Sequence, residues 1–364
     1  MNDLEIYKKA ASILGSGEHV ALVTVVSTTG STPGKVGYKM LVWGENADTV
    51  GTVGGGLIEA EIIDKAQKIL PRVENQVFRF NLDGTENVER GICGGSIEFL
   101  IETFDKKGLP LFEELSNAIE YGGKGVLISV ISPGKSPQKI LIEDADQIDM
   151  AGEVHFSSET IESIRKLAGK EQSSKKTLDN GREVFIETIA ERPMVFIFGG
   201  GHLSYYISRY LKSLSFRVTI CDDRAEFANK ERFPDVDNII VENFESVFDR
   251  IDVNSNSYIV IVTRGHKCDE IVLEKAVKTD ARYIGMIGSK RKTAIILKKL
   301  HAKGIPEEAV EKVYSPIGIS IGAVSPQEIA LSIVCELVKI RRLGDAGDTG
   351  HMTISLSKSP QEEL

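Results

Sequence analysis

Residues 198–204, with the sequence FGGGHLS, decide the fold class of the second half of this chain. A glycine turn that follows an apolar strand and opens a helix lets backbone N–H groups approach a pyrophosphate at the helix N-terminus. The acid that this motif requires after the next strand is present as Asp222 or Asp223, placed to bond a ribose hydroxyl. The serine that ends the stretch replaces the third glycine, which predicts slightly looser packing of helix on strand. The stretch predicts a Rossmann-type domain with a phosphate-bearing ligand at Gly199 and Gly201.

Strand and helix patterns alternate through the rest of this half, as in a doubly wound parallel sheet. A capping box at residues 325–328, SPQE, opens a last helix that runs to about Leu343. The predicted strands are residues 194–198, 217–220, 238–241, 258–262 and 283–287. Helical stretches are predicted after Gly201, around Glu242, after Asp269 and after Ser289.

Three further side chains are expected at the carboxyl edge of this sheet, where ligands of such folds bind. His202 could reach a phosphate or a reacting group, or be a hydrogen-bonded structural histidine, and both interpretations stay open. Arg264 could pair with a phosphate through its planar guanidinium, and His266 lies two residues further on. These residues therefore join the candidate ligand site.

The first half of the chain is predicted to be an α/β domain with three glycine-rich connections. One connection, Gly54, Gly55 and Gly56, precedes a helix and predicts an anion-binding nest. Ser31 and Thr32 could add hydroxyl donors from a neighbouring turn. Helices are predicted at residues 4–15 and 57–70, and strands at residues 20–27, 38–42, 76–81 and 97–103.

Two side chains near these connections have alternative interpretations. Glu59 lies one turn into the helix, where it could belong to the site or cap free backbone N–H groups. Cys93 precedes Gly94 and Gly95, so its sulfur could be approached closely. It is a candidate contact for a metal or a sulfur atom, and the alternative is a small core residue.

The sequence predicts four segments. Residues 1–108 form the first domain, residues 109–191 a connecting mixed α/β region assigned to the amino-terminal half, residues 192–345 the Rossmann-type domain, and residues 346–364 a polar tail. Within the connecting region, strands are expected at residues 126–131, 139–142 and 183–188, and a helix at 161–167. Residues 169–181 are polar and are predicted to form a surface loop.

Composition restricts the function classes. The net charge of −9 over 364 residues argues against sequence-independent binding of nucleic acid, which needs clustered lysine and arginine. The chain has no apolar run long enough to span a membrane and no basic leader, so we expect a cytoplasmic protein without a membrane partner. Its four cysteines are far apart and include no C-x-x-C pair, which favours free thiols.

Several segments in the same order resemble the xanthine dehydrogenase accessory factor family, also called the XdhC/CoxI family. The resemblance extends from about Ala21 to Arg341 and is weak across the middle. The matching segments are residues 30–33 (GSTP), 51–56 (GTVGGG) with Glu59, 93–95 (CGG), 198–202 (FGGGH), 222–227 (DDRAEF), which includes Arg224, 283–291 (YIGMIGSKR), 316–323 (PIGISIGA) and 325–330 (SPQEIA).

The resemblance implies an accessory protein with an XdhC/CoxI domain followed by a Rossmann domain. Such proteins bind the molybdenum cofactor, a molybdopterin complex, and protect it while the molybdenum gains a terminal sulfur. They deliver it to molybdenum hydroxylases such as xanthine dehydrogenase, which implies that hydroxylase, a sulfur donor such as a cysteine desulfurase and a second copy of the chain as partners. A nucleotide or NAD(P) could occupy the Rossmann site.

This chain departs from the family pattern at two positions. Many members have adjacent cysteines where this chain has Ile92 and Cys93, which puts a mechanism with two thiols in doubt. Arg264 stands where members often have histidine. The alternative functions are an NAD(P)-dependent oxidoreductase, a nucleotidyltransferase acting on the pterin cofactor, and a scaffold that joins the sulfur donor to the client enzyme. No catalytic constellation accompanies the glycine turn, which disfavours the first of these.

Overall fold

The structure, a computed structural model, describes residues 3–82, 94–121, 125–143, 146–151, 156–168, 173–189 and 191–344. It divides into two compact units, Met1–Glu191 and Arg192–Leu364. Each unit has its own sheets and hydrophobic clusters. The predicted polar tail, residues 346–364, lies outside the described residues.

The first sheet of the amino-terminal unit carries the glycine-rich connections. The chain forms α1 (Asp3–Gly15), β1 (Val20–Gly30), β2 (Lys39–Trp43), β3 (Asp48–Gly51), α2 (Gly56–Ile69), β4 (Asn75–Asn81) and β5 (Gly95–Phe104). The strands lie in the antiparallel order β3-β2-β1-β5-β4. β1 continues three residues further than predicted, because its end pairs with the start of β5, where Gly30 lies opposite Gly95. The buried face of α2 is the one that helical spacing predicts, with Ile58, Ile62, Ala66 and Ile69.

The middle of the chain forms a second antiparallel sheet in the same unit. Its elements are α3 (Leu109–Tyr121), β6 (Gly125–Val130), β7 (Gln138–Glu143), β8 (Asp146–Ala151), α4 (Ser158–Ala168), β9 (Ser173–Thr177) and β10 (Glu183–Ile189), and its strand order is β8-β7-β6-β10-β9. The prediction of a loop over residues 169–181 is wrong for β9. This polar edge strand pairs with β10, and Lys175 is held by Glu98 at 2.5 Å.

The carboxy-terminal unit is a Rossmann-type sheet, as predicted. Its elements are β11 (Met194–Phe198), α5 (His202–Ser213), β12 (Arg217–Asp222), β13 (Asn238–Val241), β14 (Ser257–Ile261), α6 (His266–Ala276), β15 (Tyr283–Met286), α7 (Lys290–Ala302), α8 (Glu307–Glu311), β16 (Val313–Tyr314) and α9 (Pro326–Leu343). The strands are parallel, in the order β13-β12-β11-β14-β15-β16. This is the 3-2-1-4-5-6 order, in which ligands bind at the carboxyl edge where the order reverses, between β11 and β14.

Two predictions about helices have opposite outcomes. The capping box at the start of α9 is confirmed: the Ser325 side chain accepts from the backbone of Glu328, and the Glu328 carboxylate accepts from the backbone of Ser325. The helix predicted around Glu242 is wrong, since a 3-10 turn at Val247–Arg250 follows β13. The Asn243 side chain accepts from the backbone N–H of Glu245, a local bond that competes with helix formation.

Among the described residues, no helix is both long enough and apolar enough to cross a bilayer.

Candidate functional site

The glycine turn after β11 is packed closely on one side and open on the other. Gly199 has φ +110°, and a Cβ there would lie 2.5 Å from the carbonyl oxygen of Val262 at the end of β14. A Cβ on Gly200 would lie 2.5 Å from the carbonyl oxygen of Phe227. A Cβ on Gly201, by contrast, would meet no heavy atom within 4 Å. The first two glycines are therefore required for folding, whereas the third leaves space at the start of α5, where a phosphate would approach.

The serine in place of the third glycine is fitted into the turn. Ser204 is fully buried, and its Oγ donates to the carbonyl oxygen of Gly199 at 2.5 Å. This bond ties the first turn of α5 to the end of β11. The looser packing predicted for this substitution is therefore offset by a hydrogen bond that glycine could not make.

The two acids at the end of β12 have different roles. Asp222 is 1% exposed, and its carboxylate accepts the N–H of Gly200 at 2.8 Å. Arg224 also donates to Asp222 through its backbone N–H and through its guanidinium, at 2.9 to 3.1 Å. The same guanidinium lies 3.7 Å from the ring centroid of Phe227. Asp222 thus supports the glycine turn from a buried position, held by the partly exposed Arg224, whereas the Asp223 side chain is 27% exposed.

The residues after β14 lie at the same edge of the sheet. Arg264 donates through both terminal nitrogens to the Asp223 carboxylate, and the Nη2–Oδ2 distance is 2.7 Å. Because of this pair, the pKa of Asp223 is lowered below its ordinary value. His202 and His266 are the exposed first residues of α5 and α6. The strand order brings the predicted site residues of this unit to one edge of the sheet. They are Gly199, Gly201, His202, Asp222, Arg264 and His266.

Sequence reasoning missed an ion pair between α6 and α7, the helices that follow β14 and β15. Asp269 in α6 is fully buried and accepts from Thr263 Oγ1 at 2.6 Å. Lys292 in α7 donates to the same carboxylate at 2.5 Å and to the carbonyl oxygen of Ile287 at 3.4 Å. In the sequence Lys292 is one member of a basic run, and no local pattern pairs it with an acid 23 residues earlier.

In the amino-terminal unit, three segments that are distant in sequence meet at the turn of residues 30–34. A Cβ on Gly95 would lie 2.2 Å from the carbonyl oxygen of Thr29 and 2.7 Å from that of Ser31. On the other side, a Cβ on Gly34 would lie 2.2 Å from the carbonyl oxygen of Val53. The turn at residues 30–34 therefore lies between residues 94–95 and residues 53–54, at backbone distances that only glycine permits.

The two hydroxyls of this turn differ in exposure. Thr32 is 8% exposed, and its Oγ1 donates to the carbonyl oxygen of Gly34 at 2.8 Å. Its hydroxyl proton therefore supports the turn itself. Ser31 is exposed, so its hydroxyl can face a ligand.

Two of the three N–H groups of the predicted nest already have acceptors within the chain. Glu59 accepts from the backbone N–H groups of Val53 at 2.9 Å and Gly55 at 3.0 Å, and from Thr52 Oγ1 at 2.6 Å. Gly54 donates instead to Thr52 Oγ1 at 3.2 Å. These contacts agree with the capping interpretation of Glu59. A ligand anion could use the Gly55 donor only after Glu59 moves and the Gly54 donor only after the Thr52 hydroxyl moves, whereas Gly56 is exposed with open space at its Cβ position.

Glu59 provides a prediction about pH. Partial burial raises the pKa of its carboxyl, but the hydrogen bonds from Thr52, Val53 and Gly55 outweigh burial and the pKa is lowered. A lowered folded-state pKa stabilises the fold above the ordinary pKa and loses that contribution as pH falls through the folded value. We therefore expect Glu59→Gln to cost about 1 kcal/mol near pH 7, after allowance for solvent exposure, and progressively less below about pH 4.

The measurement is urea unfolding followed by fluorescence of Trp43, the single tryptophan of the chain, which lies in this unit. Glu45→Gln, at an exposed glutamate in the turn between β2 and β3, is the control and should change stability by less than about 0.5 kcal/mol. A difference between wild type and Glu59→Gln that does not depend on pH would contradict the capping role.

Cys93, the predicted contact for molybdenum or sulfur, lies outside the described residues. Its neighbour Gly94 is exposed, and Gly95 is the first residue of β5. Within the part of the chain that the structure describes, no cluster of three or more histidine, cysteine, aspartate or glutamate side chains could hold a metal ion. The role of Cys93 stays a prediction.

Each unit contains a segment that matches the sequence model of a known family. The sequence model described as "XdhC and CoxI family" matches residues 13–81, and the one described as "XdhC Rossmann domain" matches residues 195–337. Over 339 residues the chain is 23% identical to a Bacillus subtilis protein described as a probable subunit of xanthine dehydrogenase, and this match covers 91% of this chain and 96% of that protein. Over 165 residues the chain is 29% identical to "Uncharacterized protein YqeB" of Escherichia coli. This match covers 45% of this chain but only 30% of that protein.

A solved structure has the same fold over nearly the whole chain. It is described as a xanthine dehydrogenase from Bacillus halodurans, and it superposes with a TM-score of 0.79 at 24% sequence identity. The superposition covers 96% of this chain and 99% of the other. At this identity the likeness establishes the fold.

Proposed function

Since the chain belongs to the XdhC and CoxI family, we propose that it is an accessory protein for a molybdenum hydroxylase of the xanthine dehydrogenase type. In this proposal it binds the molybdenum cofactor as cargo, protects it while the molybdenum gains a terminal sulfur, and delivers it to the client enzyme. A cysteine desulfurase is the proposed sulfur donor, and a homodimer in the cytoplasm is the proposed working form.

The observation that carries the proposal is the convergence of residues 30–34, 53–54 and 94–95 in the amino-terminal unit. These close approaches hold the segments together, and they leave Ser31 and Gly94 exposed, with open space at the Cβ position of Gly94. Exposed glycine-rich backbone of this kind is typical of sites that approach a phosphate or another anion closely. Cys93 directly precedes the third of these segments and would bring a soft sulfur ligand to it. Molybdopterin carries both a phosphate and a sulfur-ligated metal, so this combination suits it.

In the proposed cofactor site, each residue would have a distinct role. The exposed Ser31 hydroxyl would donate to an anionic group of the cargo, and the buried Thr32 would keep the turn in shape. Glu59 would hold the neighbouring glycine turn, and its negative charge would direct the cargo's anionic groups towards Ser31 and away from Gly55. Cys93 would face the molybdenum or the incoming sulfur.

The carboxy-terminal unit would bind a nucleotide-type ligand. The strand order places the open Gly201, His202 and Arg264 at the switch point of the sheet. The contacts at this edge support the glycine turn and present a guanidinium that matches an anion, as nucleotide binding requires, whereas hydride transfer needs a positioned base and a substrate site as well. This arrangement supports a binding role for the Rossmann unit more than an NAD(P)-dependent oxidoreductase.

The proposal predicts cargo in the purified protein. Protein purified without oxygen from a host that makes molybdopterin should carry pterin and molybdenum in near-stoichiometric amounts, read as pterin fluorescence after release and oxidation. Ser31→Glu places a negative charge where an anion is proposed to bind, and should lower the pterin content about tenfold through charge repulsion. Ser136→Glu adds the same charge at another exposed serine of this unit and should leave the pterin content unchanged.

Further outcomes decide between the alternatives. Cys93→Ala should retain the pterin phosphate contacts but fail to activate the client, and unchanged pterin binding together with full client activation would remove the thiol from the proposal. Absence of pterin combined with thermal stabilisation by NAD or NADP would instead favour the oxidoreductase. Absence of any bound small molecule would favour the scaffold.

A further inference from the structure

We use the term Rossmann crevice for the carboxyl edge of the sheet between β11 and β14. A ligand in this crevice can reach the carboxylate of Asp223, whereas the carboxylate of Asp222 is not accessible. The carboxylate of Asp222 is 1% exposed and is bonded to the Gly200 N–H and to Arg224. Releasing it would leave a buried N–H group without a partner and would disturb the glycine turn. The side chain of Asp223 is 27% exposed and makes none of these contacts with the turn.

Arg264 holds Asp223 across the middle of the crevice. Asp223 follows β12, Arg264 follows β14, and β11 lies between these two strands in the sheet. Their bidentate ion pair therefore crosses the carboxyl end of β11, next to the turn that begins at Gly199. In this fold a bound dinucleotide passes through that place, with its phosphates on the turn and its ribose beside the second strand.

The two partners of this pair have complementary uses for one class of ligand. The carboxylate of Asp223 accepts hydrogen bonds, which the 2′- and 3′-hydroxyls of a ribose donate. The guanidinium of Arg264 donates through a planar fork, which matches two phosphate oxygens. A nucleoside diphosphate carries both groups, joined at a short distance.

We infer that the Asp223–Arg264 ion pair is a latch across the Rossmann crevice, which a ligand with a ribose diol and a diphosphate opens by binding both partners. The inference rests on the proposed nucleotide-type ligand of this unit and names its chemical class. A ligand with a phosphate alone must break the pair without replacing the partner of Asp223. The latch therefore selects for ligands that carry both groups.

The exposure of the pair permits such an exchange. The side chains are 44% and 27% exposed, and ion pairs at this exposure contribute little, so breaking one should reduce ligand affinity at most about fivefold. When Arg264 leaves, Arg224 remains with its Nε 3.6 Å from Asp223. This neighbour would keep the carboxylate ionised and ready to accept from a ribose.

The test uses the full-length protein, made in a host without molybdopterin, and isothermal titration with ADP, CDP, 2′-deoxy-ADP and inorganic pyrophosphate. Wild type should bind ADP more tightly than 2′-deoxy-ADP. Asp223→Ala should weaken ADP about tenfold, abolish the preference for the 2′-hydroxyl and, because Arg264 is now free, bind pyrophosphate up to about fivefold more tightly. Arg264→Ala should weaken ADP and pyrophosphate alike, each about tenfold.

Lys303→Ala is the matched control, because it removes an ion pair with Glu274 at 2.7 Å, near the far ends of α6 and α7. It should change none of these affinities. The latch is excluded if Asp223→Ala retains the preference for the 2′-hydroxyl or weakens pyrophosphate as much as ADP. It is also excluded if wild type binds neither ADP nor CDP. The proposed function is tested separately, by the pterin content of Asp223→Ala made in a molybdopterin-producing host. That content should not change, because Ser31, the proposed pterin contact, belongs to the other unit.

Discussion

Replacing Lys39 with alanine is expected to destabilise the amino-terminal unit by roughly 3–5 kcal/mol. The side chain of Lys39 in β2 is 2% exposed, and its ammonium lies 2.5 Å from the carboxylate of Glu187 in β10, which is 5% exposed. Asp3 adds a second carboxylate at 3.1 Å. Burial lowers the pKa of Lys39, but the attraction of Glu187 and its neighbours outweighs it and the pKa is raised. The alanine variant therefore leaves a buried carboxylate without its cation.

Urea unfolding followed by Trp43 fluorescence measures this loss, because Trp43 ends the same strand. Lys68→Ala is the control: Lys68 pairs with Asp64 on the surface with a side chain that is 70% exposed, and its loss should cost less than about 0.5 kcal/mol. The double variant Lys39→Met with Glu187→Leu should recover most of the lost stability, since it removes both charges. If Lys39→Ala and Lys68→Ala lower the free energy of unfolding equally, the buried ion pair contributes no more to stability than the exposed one.

Replacing Asp222 with alanine is expected to destabilise the carboxy-terminal unit by roughly 3 kcal/mol. The variant removes the acceptor of the Gly200 N–H at 2.8 Å and the partner of the Arg224 guanidinium. The first group is buried and cannot turn to water. The second is 27% exposed and recovers part of its solvation, which keeps the total below that of a fully buried pair.

Hydrogen–deuterium exchange of the β11–α5 segment reads this loss locally, as faster exchange at the glycine turn. Asp222→Asn keeps one oxygen acceptor and should lose less. Asp223→Ala is the control from the adjacent position, and its exposed ion pair should be worth about 1 kcal/mol or less. If Asp222→Ala and Asp223→Ala accelerate exchange equally, Asp222 does not have the supporting role that its burial indicates.

The two variants differ in what they reveal about binding. Asp222→Ala should impair nucleotide binding because the turn itself is disturbed, whereas Asp223→Ala should alter selectivity on an intact turn. By sequence alone, either acid could be the contact of a ribose hydroxyl. The hydrogen bonds of Asp222 make that role structurally costly for it, and the exposure of Asp223 makes it accessible.

The features that depend on residues close together in the chain are predictable from the amino-acid sequence. The spacing of apolar residues and the positions of the glycines predicted the alternation of strands and helices, the turn at residues 198–204 and the capping box before α9. Each of these features depends on residues that are a few positions apart. The same reasoning missed β9, whose polar sequence resembles a loop. Pairing with β10 makes it a strand, and that pairing depends on residues elsewhere in the chain.

The contacts that the predicted residues make depend on the tertiary fold. It buried Asp222 and left Asp223 to pair with Arg264, 41 residues away. It placed the Glu59 carboxylate on the glycine turn that the sequence predicts to receive a ligand's anion. It also brought Gly95 against Thr29, in contact across the sheet. These outcomes depend on which distant groups meet and on which of them lose their water, and neither is encoded in the spacing of residues along the chain.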